Sequence, residues 1–184
     1  MIYVFLATGF EEIEALSPID ILRRAGLPVQ TVSVTGERLV YGSHQIGVEA
    51  DILFDEMDLA LADMLILPGG MPGSAHLDAC QPLREAIRRQ YEAGKPLAAI
   101  CAAPKVYGHM GILRGVRVTC YPGCEDDLEG AFYTGNLVEV DGQFITGKGP
   151  GASMEFGYTI AEAFLGEDVI RPLREGMVYA ELAK

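Results

Sequence analysis

An apolar run, Leu97-Ala98-Ala99-Ile100, leads straight into Cys101, and Ala102-Ala103-Pro104 opens a helical pattern directly behind it. Small residues two positions to either side, Ala99 and Ala103, are what a nucleophile elbow requires, because so sharp a strand-to-helix turn tolerates little bulk there. Pro104 suits the first helical turn, where its missing N–H is no loss. A thiol in that place faces the positive end of a helix dipole and unpaired backbone N–H groups, which favours the thiolate and lowers the cysteine's pKa. The other reading of Cys101 is a small buried hydrophobe at a strand end.

Two further segments can complete such a site. Pro68-Gly69-Gly70 ends a neighbouring apolar run, and glycine lets backbone approach a ligand closely. The N–H groups of Gly70 and Ala102 can then form an oxyanion hole, although a plain turn accounts for the same residues. Acids cluster at Glu11, Glu12 and Glu14. Glu11 and Glu12 read as surface residues that offset a helix dipole. Glu14 shares a helical row with Pro18, Ile21 and Ala25, so its carboxyl group is expected to be partly buried with a raised pKa. Pro18 leaves two possibilities: a continuous helix kinked near Glu14, or a helix that starts at Ser17 with Asp20 answering the cap.

The remaining thiols and imidazoles are expected to be ordinary. Cys120 and Cys124 form a lone pair, whereas a zinc site needs about four ligands. His109 lies eight residues past Cys101, roughly 12 Å along a helix, and reads as structural. His76 reads as a solvent-facing loop residue.

These residues are positioned by alternating strands and helices. Apolar runs at Ile2–Leu6, Val29–Val34, Met64–Leu67, Leu97–Ile100 and Val116–Thr119 read as strands. Glu11–Ala25, Leu83–Ala93, Pro104–His109 and residues 152–165 read as helices, as does the tail from Val169. Gly26 and Gly94 are stop signals. Pieces between Arg38 and Ile52, broken by Gly42 and Gly47, suggest a ribbon, and Asp141-Gly142 between two short runs suggests a hairpin. Strands spaced by helices of this length predict a mostly parallel sheet covered on both faces. No linker or repeat interrupts residues 1–184, which are expected to form a single domain.

Composition narrows the function. The chain has 184 residues, 49% of them hydrophobic, and a formal net charge of −12. That charge argues against nucleic acid or an anionic membrane as partner, since such binding rests on Lys and Arg neutralising phosphates. No stretch reaches the ~20 apolar residues of a membrane span, and the N-terminal run reads as a strand rather than a signal peptide. The four cysteines are therefore expected to be reduced thiols in a cytoplasmic protein.

Five segments in order extend the reading: Gly9-Phe10-Glu11-Glu12-Ile13-Glu14, Arg23-Arg24-Ala25-Gly26, Leu67-Pro68-Gly69-Gly70, Ala98-Ala99-Ile100-Cys101-Ala102-Ala103-Pro104 and Gly149-Pro150-Gly151-Ala152-Ser153-Met154-Glu155-Phe156. Together they resemble the ThiJ/PfpI superfamily, in the branch of the Parkinson-disease-associated protein deglycase and bacterial YajL. The resemblance implies a flavodoxin-like three-layer sandwich and a homodimer, with the first helix and the ribbon around His44 near its interface. It places the nucleophile at Cys101 and a protonated acid, donating a hydrogen bond to the thiolate, at Glu14. The backbone donors fall on Gly70 and Ala102. Gly69, Tyr121, Pro150 and, from the partner subunit, His44 line the site.

No cofactor and no metal are implied. The implied activity is removal of α-oxoaldehydes or their early adducts by a deglycase or cofactor-independent glyoxalase. The alternative is a redox-sensing or chaperone-like stress protein in which Cys101 is oxidised. Tyr121 stands where relatives often have a histidine, and a phenol of pKa ~10 cannot accept a proton near neutrality. His44 stands where they have an arginine. Ala102 stands where family proteases carry a histidine, so protease activity is not expected, and nothing supports thiazole synthesis.

Overall fold

The structure, a computed structural model, describes residues 1–179. From the N-terminus the elements are β1 (Ile2–Leu6), α1 (Glu12–Arg24), β2 (Val29–Ser33), β3 (Leu39–Tyr41), β4 (Gly47–Glu49), β5 (Ile52–Leu53) and β6 (Met64–Leu67). There follow α2 (Gly73–Ala79), α3 (Gln81–Glu92), β7 (Leu97–Ile100), α4 (Pro104–His109), β8 (Arg117–Val118) and β9 (Phe132–Tyr133). The chain continues through β10 (Val138–Asp141), β11 (Phe144–Gly147), α5 (Ser153–Leu165) and α6 (Glu167–Gly176).

Seven strands form one sheet in the order β10-β11-β7-β6-β1-β2-β5. Neighbours are parallel except β10 and β11. The period of two in β1 explains the layers. Ile2, Val4 and Leu6 pack with residues of α1 and α5 such as Ile21, Leu22 and Phe156. Tyr3 and Phe5 point the other way, to Leu83 and Ile87 of α3 and Tyr107 of α4. With both faces covered, β1, β6 and β7 are buried at every position. This is the expected flavodoxin-like sandwich.

Long-range packing settled several local ambiguities. Helix α1 runs unbroken through Pro18, so the alternative start at Ser17 is not used. Gly157 of α5 lies so close that a Cβ there would sit 3.0 Å from the Pro18 Cα, and this packing holds the turn that lacks a hydrogen bond. The hairpin turn is Gly142-Gln143, one residue later than expected, because Asp141 pairs directly with Phe144. Only Gly142 takes a positive φ, 56°. The ribbon is the antiparallel pair β3–β4, while Ile52 and Leu53 join the main sheet as its edge. His76 lies on α2, not in a loop. The expected helical tail is α6; residues 180–184 fall outside the described residues.

Candidate active site

The sheet order reverses direction beside β1: α1 leads to β2 on one side, whereas β6 and β7 lie on the other. A crevice forms at the carboxyl ends of strands at such a switch point. Three chain segments enter it: the start of α1, the Gly69-Gly70 turn after β6, and Cys101 after β7.

Cys101 has φ +64°, a region that costs a residue with a Cβ about 1–3 kcal/mol unless its surroundings impose it. They do. The Cys101 N–H donates to the Gly147 carbonyl at 2.8 Å, and the Cys101 carbonyl accepts from the Tyr121 N–H at 2.9 Å. The strand on one side and the Tyr121 segment on the other thus hold the elbow, leaving the residue 8% exposed.

Glu14 is 0% exposed. Its Oε2 accepts the Gly69 N–H at 2.9 Å, and the carboxyl group and the Cys101 thiol are close enough for each to influence the other's titration. Its Oε1 is buried with no hydrogen-bond partner among the described residues, a position open to a proton that can be given to a bound oxygen. Gly69 is the spacer. A Cβ there would lie 2.6 Å from Cys101 Cβ and collide with Glu14 Oε2. Gly70, at φ +88°, has no room for a side chain against the Glu11 backbone.

Burial raises Glu14 to about 7, against the pull of the thiol and the Gly69 N–H, and the nearby Glu11 charge adds to the rise. Burial also pushes the Cys101 thiol up, and the Glu14 carboxylate pushes the same way. This corrects the expectation of a lowered thiol pKa. Helix α4 has six residues, and its small dipole does not outweigh desolvation and an adjacent carboxylate. The N–H groups of Gly70 and Ala102 pull the other way. The two acids therefore titrate as a pair. When Glu14 is neutral its charge no longer opposes the thiolate, and its O–H can donate to sulfur.

Glu11 and Glu12 are not surface residues: they are 8% and 5% exposed. Glu11 caps α1, its Oε2 accepting from the Glu14 N–H at 2.8 Å, while its own N–H donates to the Gly69 carbonyl at 2.9 Å. Glu12 takes the His44 N–H at 2.7 Å and pairs with His44 Nδ1 at 2.7 Å. Burial acts to raise Glu12, but the His44 side-chain and backbone hydrogen bonds win and hold it at about 2. The cap is local, but the Glu12–His44 pair and the Glu11–Gly69 bond left no local signal, because those partners come from other segments. Within its own chain, His44 thus clamps the β3–β4 ribbon to α1. The ligand atoms of Glu11, Glu12 and His44 lie within 4.8 Å of one another, with Glu12 and His44 already hydrogen-bonded to each other.

Tyr121 is linked to Cys101 through its backbone, and its ring lies over Gly149, where a Cβ would be 3.1 Å from Cδ2. Pro150 lines the same side. The other histidines lie elsewhere: His76 Nδ1 meets the Thr8 carbonyl at 2.8 Å, and His109 Nδ1 meets Asp78 at 2.6 Å. All four cysteines are free. Burial pushes Cys120 up to about 12. Among the described residues no helix is long and apolar enough to cross a membrane.

A doubly covered parallel sheet, with a strained cysteine elbow facing a buried carboxyl group, defines a class of α/β proteins with a cysteine–glutamate site. Residues 1–163 match the DJ-1/PfpI family, and the chain belongs to it. Protein DJ-1 homolog B of Arabidopsis thaliana is 39% identical over 89% of this chain, but the match spans only 38% of that relative. Deglycase PfpI of Pyrococcus furiosus is 32% identical, over 79% of this chain and 87% of its own. A DJ-1 superfamily protein of Salmonella typhimurium superposes with a TM-score of 0.92 at 36% identity, covering 96% of this chain and 97% of that one. Oxidized DJ-1 of Toxoplasma gondii does so at 0.93 and 32%, covering 97% and 98%.

Proposed function

We propose that this protein is a cysteine-dependent deglycase or cofactor-independent glyoxalase, acting in stress protection on α-oxoaldehydes and their early adducts. The observation that carries this reading is the fully buried Glu14 carboxyl, set apart from Cys101 only by the space where Gly69 has no side chain, with Gly70 and Ala102 N–H groups that favour the thiolate. A relative named as a deglycase supports it.

The Cys101 thiolate adds to the aldehyde carbon, forming a C–S bond, and the carbonyl oxygen takes the Glu14 proton. The Glu14 carboxylate then removes the hydrogen on that carbon and returns it to the adjacent one, which leaves a thioester. Water hydrolyses the thioester to a 2-hydroxy acid and frees the thiol. Overall, the aldehyde gains one water and no external oxidant or reductant is needed. Steady-state consumption of methylglyoxal and glycated thiols, compared with Cys101→Ala, tests this. Turnover that persists in Cys101→Ala overturns it.

The second reading is a redox sensor or chaperone-like stress protein. Two equivalents of peroxide convert the Cys101 thiolate to sulfinate and two waters, and protonated Glu14 Oε1 donates to the new oxygen. The oxidized Toxoplasma relative favours it. Peroxide-dependent mass gain at Cys101, with no aldehyde consumption, distinguishes the two.

The protein is further proposed to be a cytoplasmic homodimer. Ile13 and Leu16 on α1 and Leu39, Tyr41 and Ile46 on or beside the ribbon are exposed apolar side chains that a second copy can cover. Sedimentation at micromolar concentration checks this, with a monomer as the contrary result.

A further inference from the structure

Beside the elbow lies an open groove of about 270 Å³ whose walls include Tyr121, Pro122, Leu137, Lys148, Pro150 and Ala152. It is built onto the reactive residue. The Tyr121 N–H donates to the Cys101 carbonyl, and Gly147, whose carbonyl accepts the Cys101 N–H, immediately precedes Lys148. Both sides of the groove are therefore tied to the cysteine through the backbone.

The lining is chemically one-sided. Its only charged side chain, Lys148, is turned to backbone, its Nζ donating to the Gly135 carbonyl at 2.9 Å. Tyr121 and Leu137 are 48% and 61% exposed, so large apolar surfaces face water beside the segments bonded to the Cys101 backbone. The Tyr121 ring can lie against the loop because position 149 has no Cβ. Drug-sized ligands take pockets of roughly 300–1,000 Å³; this groove is of a size for a single ring.

We propose that the groove seats an apolar, preferably aromatic, substituent of the substrate, so that Cys101 acts on bulky α-oxoaldehydes such as phenylglyoxal in preference to methylglyoxal. This rests on the reading of Cys101 as the nucleophile. Tyr121 and Leu137 then determine specificity by covering the ring from water.

The test uses two independent readouts. In the first, kcat/KM is measured for phenylglyoxal and methylglyoxal in the native protein, Leu137→Ser and Tyr121→Ala. The expected phenylglyoxal preference is roughly tenfold, as for a ring-sized apolar surface taken from water, and falls toward one in both variants. In the second, site-resolved mass spectrometry compares Cys101 alkylation by iodoacetamide and N-benzyl iodoacetamide, which needs no turnover. The same preference and the same loss are expected. Preference in alkylation without any aldehyde turnover supports the groove and removes the enzymatic reading. Cys101-dependent turnover with no ring preference in either assay, or a preference that both variants retain, overturns the groove and leaves that reading intact. Leu137 is mostly exposed, so its replacement does not depend on refilling a core.

Discussion

Glu12 and Glu14 stand two residues apart at the start of α1, both buried, yet one is held at about 2 and the other raised to about 7. Both pay the same kind of desolvation penalty. Glu12 is met by an imidazole, a backbone N–H and the Ser43 hydroxyl. Glu14 has one backbone N–H, a thiol and the field of Glu11. Burial alone therefore does not decide the charge of a carboxyl group; the number and sign of its partners do. One helical turn thus carries an anchor for the ribbon that is ionised at neutral pH and an acid for the site that titrates near neutrality.

Exchanging the two acids one at a time gives the sharpest contrast. Glu14→Gln keeps a donor but removes the titrating proton, and it is expected to lower aldehyde turnover by about 100- to 10,000-fold with the fold intact by circular dichroism. Glu12→Gln is expected to leave turnover within a few-fold and instead to lower Tm by a few degrees, since a buried charge-assisted cluster loses its charge. Equal effects on rate would erase the distinction.

A smaller effect comes from the spacer. Gly69→Ala drives a methyl group between the thiol and the carboxyl group. Overpacking of this kind costs about 1–3 kcal/mol, to be read from denaturant unfolding, and the alkylation rate of Cys101 should change with it. Unchanged stability and reactivity would mean that the three segments are less tightly set.

The next effect is a pair of opposed pH slopes. Glu14 rises from 4.5 to about 7 on folding, so the native state holds the extra proton and stability falls as pH increases through that window. Glu12 drops from 4.5 to about 2, so the unfolded state holds the extra proton and stability rises with pH between those values. Stability measured against pH should lose the upper slope in Glu14→Gln and the lower slope in Glu12→Gln. The smallest expected effect is that of His44→Ala, an exposed partner. It should move the Glu12 titration upward, seen by NMR, while the Glu14 titration stays in place.

How much of this was legible depended on range. The sequence by itself determined the strands at Ile2–Leu6, Met64–Leu67 and Leu97–Ile100, the elbow at Cys101 and the inward row that carries Glu14. Each follows from side-chain periodicity or from steric limits within a few residues. Only the tertiary structure decided the rest. Pro18 stays inside α1 because Gly157 packs on it, Glu12 is ionised because His44 arrives from the ribbon, and Glu11 becomes a cap tied to Gly69. The local reading of Cys101 as a dipole-activated thiol named Glu14 as its partner but left out how burial and that carboxylate oppose the thiolate. A short helix's dipole is visible in sequence, whereas desolvation and charge pairing depend on what distant segments bring within a few ångströms.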